Sequence, residues 1–341
     1  MHIEHIRNAA DWAALAQDWN ALLRQSHNNV PFLTFEFQRA WWEGLGGGEW
    51  QRAELNILFG RDETGRLVGI APLFQAQDGD GKQVLSLIGS HEIADFLDLI
   101  VRPQDHAAFV QALSEYLAGE GSGIWQRLEL YNLLDSSLTP MALATAAKAQ
   151  GWSFAQETLQ PSPYIVVPKS LDAYIDSLGS KQAHEMRRKL RRAARNPSPI
   201  ALEIVQEAAQ LDQALDDFFR LMCQETDKAV FLTPPMRAQM QAIAHAAFQA
   251  GWLQLAFLKC GPSRIGGYLN FDYDNCLWAY NAGFDAALAD LSPGWVIMAE
   301  MIKWSIANGR KTFDFMRGGE EYKYRFGGVD RLVQKVTISR N

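Results

Sequence analysis

Cysteine is scarce in these 341 residues: Cys223, Cys260 and Cys276 are odd in number, form no CxxC pair and stand far from any matching histidine spacing. That excludes a disulfide framework and a zinc site, and leaves reduced thiols and no metal as the expectation. No stretch approaches the roughly 18 uninterrupted apolar residues of a membrane span, and the start, Met1 to Trp12, lacks the basic stretch and apolar run of a signal peptide. The expected protein is cytoplasmic, with no membrane insertion. Positive charge is also in short supply, with 32 Lys and Arg against 39 Asp and Glu, a net charge of −7; this excludes a protein that coats nucleic acid over its whole surface. The patterns G-x-S-x-G, H-E-x-x-H, Walker A and G-x-G-x-x-G are all missing, so serine hydrolase, zincin, P-loop and Rossmann chemistry lose their usual support.

What remains is an ordinary globular composition, 48% apolar and 21% charged, in a chain longer than the roughly 250 to 300 residues at which single cores stop growing. Two domains are expected, 1–165 and 166–341, with the edge marked by the prolines near Pro163. In the first half, helices are expected at Ala10 to Leu23 and at Phe35 to Gly44 behind the N-cap Thr34. A hairpin follows, Asn56 to Phe59 and Arg66 to Gln77, turning at Asp62 to Gly65. Strands come next at Val84 to Ile88 and Phe96 to Val101, a helix at Gln104 to Leu117, a strand at Trp125 to Leu133, a helix at Leu138 to Gln150, and strand material from Trp152 to Val167 broken at Pro161 and Pro163.

The second half repeats this order. A basic helix, Lys181 to Arg195, stops at the prolines after Asn196, and Leu202 to Val205 follows as a strand. Helices at Ala209 to Gln224 and Pro235 to Ala250 precede a meander of Leu253 to Leu258, Ile265 to Asp272 and Cys276 to Asn281. A helix from Pro293 to Asn308 then leads to a buried strand, Thr312 to Met316. The pattern is a duplicated α/β unit, a mixed central sheet flanked by helices in each lobe.

Chemistry concentrates in four places. Ser292, Pro293 and Gly294 form a strong helix start, whose exposed amides, with that of Trp295, suit a phosphate or pyrophosphate. Asp314, between Phe313 and Phe315, points to the opposite sheet face from both rings and needs a cation there, with Arg317 and Lys323 the nearest. Tyr322, Lys323, Tyr324 and Arg325, bracketed by glycine pairs, offer two phenol donors and two cations for a phosphate or carboxylate. The helix from Lys181 to Arg195 sets seven cations against one acid, which suits a polyanion such as a nucleotide cofactor, a tRNA end or an anionic glycan. In the first half, Asp95 and Asp98 follow the strand Val84 to Ile88 and suit a cleft.

Taken in order, Pro31 to Trp42, Ala94 to Asp98, Ser180 to Arg192, Tyr280 to Asp285, Ser292 to Gly294 and Phe313 to Gly328 resemble the bacterial GNAT-like acetyltransferases of the CelD/BcsL type, across nearly the whole chain. Those proteins are similar to the Fem transferases, which pair two GNAT-type lobes and pass an aminoacyl group from tRNA to a peptidoglycan precursor. The resemblance implies tandem GNAT-like lobes, a donor site in the second, a ligand-binding role for Lys323 and a cofactor helix beginning at Pro293. It departs at the pyrophosphate loop: the usual Arg/Gln-x-x-Gly-x-Gly/Ala is replaced by Leu288 to Trp295.

The implied function is acyl transfer from acetyl-CoA or another acyl-CoA to an amine or hydroxyl of a small molecule or glycan precursor. Amides of Tyr280, Asn281 and Ala282 would polarise the carbonyl, and those of Ser292, Gly294 and Trp295 would hold the donor's phosphates. Asp314 or Asp95 would orient or deprotonate the acceptor, Tyr322 or Tyr324 would act as acid, and Lys323, Arg325, Arg317 and Lys181 would anchor negative charge. Two alternatives stand beside it: a Fem-like aminoacyl-tRNA-dependent transferase, and a non-catalytic accessory of polysaccharide synthesis.

Overall fold

The computed structural model describes residues 1–340 and separates into two compact units, Met1–Gln160 with the described residues from Leu332 onward, and Pro161–Arg331. The chain crosses between them inside two strands, Ser153–Val166 and Val329–Ser339. The expected edge was 165/166, and the last described residues cluster with the first unit. No helix among the described residues is long and apolar enough to cross a membrane.

The first unit holds a four-stranded sheet that begins with a strand absent from the sequence reading, His2–Ile6, paired antiparallel with Ile57–Arg61. The latter forms the expected hairpin with Leu67–Ala71, and Ile100–Val101 closes the other edge. A further set of strands runs Glu54–Leu55, Leu73–Gln77, Gln83–Leu87 and Arg127–Leu134, flanked by the first-unit part of Val329–Ser339. The anticipated strand Phe96 to Val101 shrinks to its last two residues because Asp98 turns inward. Its carboxylate accepts hydrogen bonds from Asn28, Ser137 and Thr139 and from the Leu99 amide. A buried carboxylate needs such donors, and they hold the chain as a loop.

The second unit is a sheet in the order Ile200–Ile204, Leu253–Cys260, Ser263–Tyr273, Cys276–Phe284, Thr312–Asp314, bordered by the end of Ser153–Val166. The meander is where its turns predicted it. Helix Ala208–Met222 buries Leu211, Leu215, Phe218 and Met222 at helical spacing. Helix Pro293–Ala307 is buried nearly all round, through Val296, Ile297, Met298, Met301 and Ile302. Gly283 is obligatory in this packing, since a Cβ there would sit 2.3 Å from the Met222 nitrogen.

Three expectations are corrected here. Ser153–Val166 is one unbroken strand: Pro161 and Pro163 need only accept on that edge, their carbonyls taking the N–H groups of Gly318 at 2.9 Å and Phe315 at 3.0 Å. A helix, Thr226–Phe231, lies where no element was foreseen. The strand expected at Thr312 to Met316 stops at Asp314, and the segment with alternating tyrosines and cations forms a short helix, Glu321–Arg325.

Candidate functional site

Two parallel strands part company in the second unit. Cys276–Phe284 pairs with Thr312–Asp314 only at Cys276, Leu277 and Trp278. Beyond Asp314 the second strand is drawn away, the Phe315 N–H going to the Pro163 carbonyl, while the first continues to Phe284. The edge so exposed carries the Ala282 carbonyl, which accepts from Lys228 Nζ at 2.8 Å. A residue's N–H and C=O face the same neighbour in a strand, with alternation at the next residue. The Ala282 amide therefore lies on the open edge and Asn281, opposite Leu269, faces the neighbouring strand; the register shifts between Leu269 and Phe271, so the alternation does not carry back to Tyr280.

A cavity of about 360 Å³ lies at the end of this strand, lined by Lys189, Glu225, Phe284, Ser292, Gly294 and Trp295 among others. It gathers the three helix-start residues singled out from the sequence. Ser292 is indeed the residue before the helix, but in a left-handed conformation (φ 53°) and with no side-chain cap. Pro293 has no N–H and the Trp295 N–H bonds the Ser292 carbonyl at 3.0 Å, which leaves the Gly294 amide as the first-turn donor on the cavity side. Lys189 Nζ stands 4.4 Å from the centre of the Trp295 ring, and burial lowers its pKa below the usual lysine value. A cation thus sits beside a helix start that has no side-chain cap, the donor set an anionic diphosphate requires.

Tyr322 reaches toward the same region. The residue is 43% exposed, its ring packs against Phe315 and Phe326, and desolvation first, then Tyr268, Glu320 and Glu225, raise its pKa. Burial likewise raises that of Tyr268. Both phenols stay protonated across the physiological range and serve as donors. Glu225 pairs with Lys228 at 3.1 Å.

The loop after Asp314 is self-contained. Asp314 is 1% exposed; one carboxylate oxygen accepts the Met316 N–H at 2.8 Å and the other pairs with Arg331. Lys323, 2% exposed, donates to the carbonyls of Met316 at 3.1 Å, Arg317 at 2.6 Å and Gly318 at 3.1 Å, and pairs with Glu320 at 2.9 Å. These bonds hold Met316 at φ 65°, which costs a β-carbon residue energy that the clamp must offset. The carboxylate expected as base and the cation expected to grip a ligand both hold the backbone of this loop and each also pairs with a charged side chain, Arg331 and Glu320 respectively. Tyr324 donates to Asp330 at 2.9 Å, and Arg325 pairs with Glu321 at 2.6 Å; both are exposed. Arg317 is half-buried, and Lys181 lies exposed near the start of the basic helix.

That helix, Ser180–Ala194, divides its cations. Arg187 pairs with Asp176 and Arg188 with Glu185. Arg191, Arg192 and Arg195, all exposed, have no ion pair among the described residues and border a hollow of about 390 Å³ with Arg188, Asn196 and Pro197. Asp95 is half-buried in the first unit. Lys189, Glu225, Lys228, Phe284 and Tyr268 are the site residues that sequence reasoning did not single out. The one available signal was Lys189, inside a helix already marked as basic.

Residues 180–324 match the model of an acetyltransferase (GNAT) domain. No curated protein matches the chain. Among solved structures it is similar to FemX (12% identity over 98% of this chain and 97% of that one, TM-score 0.65). It is also similar to a conserved protein of unknown function from Bacteroides thetaiotaomicron VPI-5482 (12%, 99% and 100%, TM-score 0.63) and to L-PGS from Bacillus licheniformis (11%, 95% and 91%, TM-score 0.53). The match to the GNAT domain model is confined to residues 180–324, under half of the chain, and the chain as a whole has the mixed α/β fold of FemX. The parted strands and the helix that starts at Pro293 both fall inside the matched segment.

Proposed function

We propose that the protein is an acyltransferase of the GNAT type, close to the CelD/BcsL proteins, that moves an acyl group from acyl-CoA, acetyl-CoA foremost, to an amine or hydroxyl of a sugar, amino acid or envelope precursor. The observation that carries this reading is the open edge at Ala282 beside a helix start that has no side-chain cap. Lys189 supplies positive charge where the usual pyrophosphate loop is missing, and the Gly294 amide completes the anion site.

In this reading the Ala282 amide polarises the acyl carbonyl. The acceptor nitrogen or oxygen forms the new bond to the carbonyl carbon as the carbon–sulfur bond breaks. Glu225 takes the acceptor's proton, and Tyr322 gives one to the departing thiolate and is reprotonated from Glu225 through solvent. Asp314 and Lys323 shape the wall of the site instead of touching substrate. The test is a thermal-shift titration with CoA and acetyl-CoA: at a hundredfold excess over Kd, a specific ligand stabilises by about 2.7 kcal/mol. Absence of a shift with any acyl-CoA overturns the reading.

A second donor is favoured by one observation, the trio Arg191, Arg192 and Arg195 without acidic partners. A Fem-like enzyme drawing on aminoacyl-tRNA would place the RNA end against this helix. Filter binding of tRNA whose affinity falls steeply with salt, and is weakened by Arg192→Ala, supports that donor; retention of CoA binding with no RNA binding excludes it.

A further inference from the structure

A hollow of about 970 Å³ lies in the first unit, at the upper end of the ~300 to 1,000 Å³ common for small-molecule sites. Its lining has an unusual chemistry. Glu54 pairs in register with Gln75 across one strand boundary, and Gln77 with Gln83 across the next. Paired and alternate residues share a face, so three amides and a carboxylate stand together at one end of this sheet. The segment before the edge strand adds Trp50, whose ring packs edge-on against Phe74 at 4.9 Å, and Arg52.

Charge decides between ligands. Glu49 is engaged by the His91 and Glu92 amides, and Asp78 by Arg127 at 2.9 Å. What remains exposed is one acid, Glu54, and one base, Arg52. A phosphate-bearing ligand would need a cationic excess here, and there is none. The side chains of Arg52 and Gln77 are exposed, with no hydrogen-bond or ion-pair partner among the described residues. Planar amides, a carboxylate and a guanidinium match the paired hydroxyls of a sugar ring, each offering a donor and an acceptor, and an indole matches its apolar C–H face.

We infer that this groove binds a neutral oligosaccharide. The inference stands on the first unit alone and does not rest on the acyl-transfer reading. The test is a titration of the whole protein with cellotetraose and with chitotetraose, followed by NMR on the side-chain amides of Gln75, Gln77 and Gln83 and the Trp50 indole, with CoA titrated separately. At least one tetrasaccharide should shift these signals saturably, and Arg52→Ala with Gln77→Ala should weaken it at least tenfold without moving the unfolding midpoint. Should the double variant fold poorly, each single variant should still weaken binding several-fold. No shift at millimolar sugar, or equal binding by the variants, overturns the inference. Sugar binding without a CoA response overturns only the acyl-CoA reading, and a CoA response without sugar binding only this one.

Discussion

Two lysines of the second unit make opposite use of their charge. Lys323 sits in a segment that advertises itself, between two tyrosines and two glycine pairs, yet its ammonium is consumed by three carbonyls and a glutamate. Lys189 sits in a crowded basic helix, yet it faces a cavity and rests on an indole with no carbonyl on its ammonium. Conspicuous composition marked the place where the backbone had to be held. The binding charge came from elsewhere in the chain and was set beside the cavity by packing.

Substitutions test this contrast directly. Lys323→Met should cost the most, about 3 kcal/mol or more in urea denaturation, because several buried carbonyls lose their donor together; a fully stable variant that has lost only turnover would reverse the roles of the two lysines. Gly283→Ala should follow, losing about 1 to 3 kcal/mol as the strand is pushed off Met222. Lys189→Ala should leave the unfolding midpoint unchanged and weaken acyl-CoA about tenfold, or about 1.4 kcal/mol, in calorimetry.

The pH response sharpens the same point. Since burial depresses the pKa of Lys189, its positive charge disappears as pH rises, at a lower pH than the ordinary lysine value of 10.5. Donor affinity should therefore fall on the alkaline side, and Lys189→Arg, which stays charged, should flatten that limb. The smallest effect belongs to Arg325→Ala, whose exposed partner is Glu321: neither the midpoint nor donor affinity should move.

Much of the second unit was legible because its signals are local. The meander turns, the proline at the start of helix Pro293–Ala307 and the glycine after it each report on a few adjacent residues. The site was legible in part: Ser292, Gly294 and Trp295 do line the cavity. The pairing of Asp314 with Arg331 was not, because Arg331 returns to it only after the chain has turned through the glycine loop and a helix. The helix Glu321–Arg325 was not foreseen, because five residues are too few to show a helical period. Glu225 and Lys228 escaped notice because the short helix beside them has little periodicity to see.

The enclosure of Lys323 makes it chemically quiet. Amine-directed reagents applied to the native protein should mark the exposed Lys181 readily and pass over Lys323, whose nitrogen has neither a free lone pair nor an approach path. Peptide mapping before and after denaturation would then read the closure of the C-terminal loop as a residue that becomes reactive only when the fold is lost.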